Sequence, residues 1–163
     1  MIASLQKTND GYLAQFDRTL QYSIESVWAA LTENDKLAIW MPNLQVEQLR
    51  KGGVIKFDMK DGTGKYIDIE ITDCQPNSVL EFTWGNDHVR FELTPKPEGS
   101  LLVLKEYISS INDHTSKDLA GWHICLDLLS ALLDGHVMEF PKDEWQQWYE
   151  QYAVVVKQLQ GQA

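Results

Sequence analysis

The stretch "SKDLAGWHICLDLLSALLDGH", residues 116–136, decides how this chain folds. Leu119, Trp122, Leu126, Leu129 and Leu133 recur at alternating steps of three and four, which draws one apolar stripe along a helix. Ile124, Cys125, Leu128 and Leu132 form a second apolar group beside and behind it, so the polar remainder is Lys117, Asp118, Asp127, Ser130 and Asp134. A helix this apolar around its circumference is buried on more than one side, as when a curved sheet wraps it. Thr115 or Ser116 can cap its start and Gly135 can end it. Gly121 reads as the point where a strand approaches closely, with Trp122 filling the space beside it.

The same stretch holds His123, Cys125 and Asp127, residue types that often do chemistry. His123 and Cys125 stand two positions apart, roughly 200° around a helix axis, and cannot form a nucleophile–base pair. His123 and Asp127 are i and i+4 and can touch. A His–Asp contact at the surface or rim is the plain reading. Ligand contact and metal binding are the alternatives, and a third metal ligand at a recognisable spacing is missing. Cys125 reads as a small core residue.

Upstream, from about residue 43 to 110, the period changes to two. "LQVEQL" predicts a strand. In "GGVIKFDM", Ile55, Phe57 and Met59 share one face, and in "KYIDIEITD", Ile67, Ile69 and Ile71 do. "VLEFTW" groups Leu80, Phe82 and Trp84, and "HVRFELT" groups Val89, Phe91 and Leu93. "LLVLKEYISS" is the last strand. "DGTG", "QPNS" and "GND" are turns between these runs. Successive alternating strands joined by short turns predict an antiparallel meander with one buried face, and no crossover helix separates them. Ahead of it, a short polar leader precedes a first strand, "GYLAQFDRTLQYS". Ser23 can cap the short helix "IESVWAALT", and Asn34 can cap "DKLAIW", which Pro42 closes. The fold class is therefore α+β, one domain over residues 1–163, with a core at 12–135. Residues 141–160, "PKDEWQQWYEQYAVVVKQLQ", add an amphipathic helix with Trp145, Trp148, Tyr149, Tyr152, Val156 and Leu159 on one face. That face packs against its own domain, or else offers an aromatic docking surface.

Composition narrows the function classes. Of 163 residues, 44% are hydrophobic, and six Trp, six Tyr and five Phe supply wide apolar walls. Fourteen Lys and Arg against 24 Asp and Glu leave a net charge of −10, which repels nucleic-acid backbones and anionic membranes. Cys74 and Cys125 show no metal or redox spacing, "MIASLQKTND" has no apolar signal core, and no apolar run reaches the ~18 residues a spanning helix needs. These features predict a cytoplasmic protein with reduced thiols and no metal or other cofactor.

Four fragments occur in a telling order: "FDRTLQYSIESVWAALTENDKLAIWMP", "GGVIKFDM", "VLEFTW" and "AGWHICLDLLSALLDG". Over residues 12–135 the chain resembles the proteins named for similarity to the activator of the heat-shock protein 90 ATPase, within the START-like (SRPBCC) superfamily. The resemblance implies a helix-grip fold: a bent antiparallel sheet wrapped around a long C-terminal helix, with two short helices after strand one. It also implies an elongated cavity between sheet and helix, used across the superfamily for lipids and other apolar small molecules. The chaperone activator itself is matched only through its C-terminal domain.

The candidate cavity walls are Phe57, Ile69, Phe82, Trp84 and Phe91 from the strands and Trp122, Leu126 and Leu129 from the helix, with Trp40 and Met41 as a rim or lid. Glu106 shares the face of Leu102, Leu104 and Ile108; if that face is inward, its carboxyl sits among apolar walls with a raised pKa. The expected function is non-enzymatic binding of an apolar small molecule, a lipid or aromatic metabolite. The alternative is an interaction module acting as a homodimer or with a chaperone partner. A cyclase- or aromatase-type enzyme ranks last, because no convergent acid and base residues are visible.

Overall fold

Twelve elements follow one another in the computed structural model, which describes residues 2–60 and 62–161. In order they are β1 (Ser4–Lys7), β2 (Tyr12–Leu20), α1 (Ile24–Thr32), α2 (Asn34–Trp40), β3 (Leu44–Val46) and β4 (Val54–Asp58). Then come β5 (Tyr66–Gln75), β6 (Val79–Trp84), β7 (Asp87–Lys96), β8 (Gly99–Ile108), α3 (Thr115–Leu133) and α4 (Lys142–Gln160). The strands make one antiparallel sheet in the order β1-β2-β8-β7-β6-β5-β4-β3, bulged between Ile71 and Asp73. This is the antiparallel α+β arrangement that the alternating strands and the doubly apolar helix predict, and the helix-grip fold that the resemblance implies.

The inner face carries Phe16, Ile55, Ile71, Phe82, Val89, Leu102 and Leu104, each at most 1% exposed. The outer face is polar: Arg90 pairs with Glu92 at 2.6 Å, Asp73 at 3.0 Å and Glu81 at 3.2 Å, and Lys105 adds a 2.9 Å contact to Glu92. The alternation in the sequence is this division between the two faces.

Helix α3 is buried on two sides. Leu119, Trp122, Leu126 and Leu129 join the main core, and α4 packs along the helix as well. Its end is a left-handed cap: Gly135 at φ 82 lets its own N–H reach Leu132 O and the His136 N–H reach Ala131 O. At the start the capping expectation fails. Thr115 and Ser116 lie inside the first turn, His114 holds the cap position, and Thr115 Oγ1 instead accepts from the Asn112 N–H. Gly121 also differs from expectation, because a Cβ there would meet nothing within 4 Å. No strand approaches it.

Other differences have local causes. The polar leader forms β1, which pairs with β2 from Ser4↔Gln15 to Lys7↔Tyr12 and carries the buried Ala3 beside it. Ser23 caps α1 as expected, by accepting from the Ser26 N–H. Asn34 does not cap α2. Its amide bridges to β3 instead, accepting from Val46 N at 2.7 Å and donating to Val46 O at 3.0 Å. Met59 and Ile67 share the phase of buried neighbours but are 42% and 50% exposed, since β4 ends at Asp58 and β5 outruns its cover. The "DGTG" turn includes residue 61, which lies outside the described residues.

Of the pair expected at the surface or rim, His123 is buried and Asp127 half-buried. His123 is 2% exposed, stacked on Trp148 with ring centroids 3.7 Å apart, and its Nδ1 lies 2.8 Å from Tyr152 Oη. The hydrogen bond goes to α4 and not to Asp127, because α4 covers this side of α3 and removes the water a rim histidine would meet. Burial, with the Arg18 charge added, pushes the His123 pKa down to about 3. An unfolded chain protonates this ring below about pH 6.5 while the folded state does not. Stability from His123 is therefore full above pH 6.5 and falls as the pH drops toward 3, by about 1.4 kcal/mol per unit at most. Urea unfolding of wild type and His123→Gln between pH 7 and 5 checks this: the variant should lose less stability over that range.

Candidate functional site

The seam between sheet and α3, where an elongated cavity was expected, is filled. Around Trp40, Phe82, Phe91 and Trp122 only about 10 Å³ stays open, room for no more than one water. Edge-on and tilted rings close it: Phe91 and Trp122 lie 6.0 Å apart, Phe82 and Phe91 6.2 Å. Ile69, Leu126 and Leu129 are core residues, at most 5% exposed, and line none of the clefts described below. Trp40 is a fixed wall, since its indole N–H donates to Ala30 O at 2.7 Å.

Space opens at the end of the seam, on both sides of Trp84. This residue ends β6, and its hairpin partner Asp87 begins β7; Gly85 between them takes φ 63, a left-handed value that suits glycine. The indole is held by Trp122 at 5.0 Å, by Phe57 at 5.5 Å edge-on, and by its N–H, which donates to Asp118 Oδ1 at 3.1 Å. Asp118, read as an exposed helix residue, thus fastens α3 to the end of the sheet.

One flanking cleft is apolar, about 350 Å³, lined by Trp40, Met41, Phe57, Trp84, Leu128 and Phe140 among others. Cys125 reaches into it as well. Its Sγ lies 3.5 Å from Met41 Sδ, and burial pushes the thiol up to about 12, so this cysteine is an unreactive wall.

The other cleft, about 340 Å³, is polar and has an unusual floor. Glu106 is 1% exposed, and no donor group reaches either carboxyl oxygen. Its neighbours across the sheet are Ala14 on β2 and Val89 on β7, which offer it nothing polar. Burial raises its pKa well above the carboxylate range; a hydrogen bond from the protonated form to the Asp118 carboxylate, and the charges of Asp118 and Asp87, raise it further. Asp87 is itself engaged, accepting from the N–H and the hydroxyl of Ser109 at 2.8 and 2.9 Å. Ile108, His114 and Thr115, with the neutral polar Asn86, Ser109, Ser110 and Asn112, also line it.

Of the residues singled out in the sequence, Trp84 and Glu106 meet at this cleft, and Trp40, Met41, Phe57 and Trp84 meet at the apolar one. Asp87, Asp118 and His114 were missed. Asp118 carried a signal, since it stands one turn before Trp122 on α3; Asp87 and His114 lie in a hairpin and a loop that periodicity does not place. Among the described residues no group of His, Cys, Asp and Glu is arranged to hold a metal ion. None of their helices is long and apolar enough to cross a membrane.

Known proteins share this architecture. EF2215 from Enterococcus faecalis, a conserved protein of unknown function, superposes with a TM-score of 0.84 over 96% of this chain and 91% of its own, at 25% identity. CalU16 from Micromonospora echinospora gives 0.71 over 94% and 96%, at 19% identity. DynU16, from the dynemicin biosynthetic locus, gives 0.65 over 80% of this chain and 49% of its own, at 22% identity. At such identities the last two show the fold. No curated protein matches the chain in sequence. Residues 21–134, from the end of β2 to the last turn of α3, match the family described as Activator of Hsp90 ATPase homolog 1-like protein. The chain belongs to that family, part of a fold superfamily whose members often bind hydrophobic ligands.

Proposed function

We propose that this protein binds a mainly apolar small molecule, a lipid or an aromatic metabolite, at Trp84, with the ligand's polar end in the Glu106 cleft. One observation carries the reading: a fully buried carboxyl that no donor reaches, next to the Asp118 carboxylate alone, belongs to a residue lining an open cleft beside an indole. Leaving such a group unsatisfied costs about 1–3 kcal/mol or more, and a ligand group placed on it recovers that cost. A small cavity with aromatic walls and one or two placed polar groups is how small-molecule sites are commonly built. The role is binding without catalysis. Burial favours the protonated form of Glu106, which removes a strong base at neutral pH, and the Cys125 thiol is held protonated.

Displacement of an environment-sensitive dye by a panel of fatty acids, flavonoids and simple aromatics tests this. Saturable displacement with Kd in the micromolar range is expected, weakened by Trp84→Ala. No saturable displacement across the panel would sink the proposal.

The interaction-module alternative keeps one observation. Val137, Met138 and Phe140, between α3 and α4, are 80%, 36% and 47% exposed. The aromatic face of α4 is largely taken up by its own domain: Tyr152, Val156 and Leu159 are buried, and Trp145, Trp148 and Tyr149 are half-buried against the core. Sedimentation at micromolar concentration separates the two readings, and a dimer lost in Phe140→Ser would favour the second.

A further inference from the structure

The Glu106 cleft is acidic throughout. Asp87 enters from β7, Asp118 from α3 and Glu106 from β8, and no lysine or arginine lines it. His114, ahead of α3, is its one basic side chain, and β2 contributes only Ala14 beside Glu106. An anionic or carboxylic ligand would meet three carboxyl groups. A neutral ligand would leave the Asp87 and Asp118 carboxylates without a cation. A metal ion is a poor fit, because the described residues hold no group arranged to ligate one. The Trp84 indole is oriented by its bond to Asp118 and lines the same cleft. An aromatic face beside carboxylates is the usual surroundings of an organic cation. The net charge of −10 favours the approach of positive ligands over long range.

We infer that the polar end this cleft accepts is a protonated amine on an aromatic or otherwise apolar body, with the ammonium on Glu106 and Asp118 and against the Trp84 indole. The inference rests on the cleft reading above and names its ligand class. Binding also moves a proton. In the empty cleft Glu106 is the neutral acid; when the ammonium arrives, the acid releases its proton to solvent and the resulting carboxylate pairs with the cation. The amine keeps all its own hydrogens, and the net change is one cation bound and one proton released.

Calorimetric titration at pH 6 with phenethylamine and with its neutral counterpart phenethyl alcohol, in two buffers of different ionisation enthalpy, tests the inference. The amine should bind about tenfold tighter or more, the margin a charge-assisted hydrogen bond provides. Close to one proton should leave per amine bound, and none with the alcohol. Glu106→Gln should erase both the preference and the proton release. Asp118→Asn, at a half-buried position, should reduce the preference and still fold. Equal binding of the two probes, or amine binding without proton release, would overturn the inference and leave the apolar-ligand reading standing. If neither probe binds, the amine assignment falls; the cleft reading falls with it only if the apolar panel also fails.

Discussion

Glu106→Leu should fold into a more stable protein than the wild type. The side chain lies between Ala14 and Val89 in the middle of the sheet, and no donor group reaches either of its oxygens. Leucine fits the volume and leaves no polar atom unpaired. The gain should be on the order of 2 kcal/mol, or roughly 5 °C in Tm for a domain of this size. The sign follows from the raised pKa: the folded state holds a proton that the unfolded chain gives up in the ordinary carboxyl range. What Glu106 contributes to stability is full below that range and is lost as the pH rises through its folded pKa. The advantage of leucine should therefore widen from pH 5 to pH 8 in thermal unfolding. A wild type as stable as the variant across that range would mean that Glu106 is satisfied. Residues that weaken the fold in this way are commonly kept for function, and the same variant should lose selective binding of amines.

Tyr152→Ala should cost about 3–5 kcal/mol, the loss typical of a large buried aromatic. Tyr152 is 0% exposed although it lies near the end of the chain, and its hydroxyl accepts the Ala3 N–H at 3.0 Å and meets His123 Nδ1 at 2.8 Å. That one oxygen ties α4 to both α3 and the start of β1. Tyr152→Phe keeps the ring and orphans both partners, so it should cost about 1–3 kcal/mol. Urea unfolding measures both. A loss under about 1 kcal/mol for the alanine variant would mean that α4 is an appendage, whereas the full loss makes it part of the domain core.

The sheet and the central helix were legible because both are written in periodicity. The alternation in β6, β7 and β8 and the stripe of α3 correspond to buried faces, residue for residue, over most of their length. The phase of β8 stayed open in the sequence, because Leu101 and Val103 are apolar as well; the structure turns Glu106 inward with Ser100, Leu102, Leu104 and Ile108. What stayed hidden depends on contacts between distant segments. β1 has too few apolar residues to announce itself and exists through pairing with β2. His123 looked like a rim residue until α4 was laid over it. Whether aromatic residues fill a seam or line a cavity depends on ring orientation, which spacing does not encode. Trp40, Phe82, Phe91 and Trp122 meet along the seam, but the open space lies beyond them, at the Trp84 hairpin.

The central claim is that ligands bind at Trp84 and not within the closed seam. Two-dimensional NMR of the indole N–H groups of the six tryptophans, assigned by single Trp→Phe variants, tests it most directly when a binding member of the apolar panel is titrated in. The Trp84 resonance should shift saturably, with its Asp118 hydrogen bond perturbed, while Trp28 stays still. Saturable shifts at the seam indoles Trp40 and Trp122 with Trp84 unmoved, or no saturable shift at any indole, would contradict it.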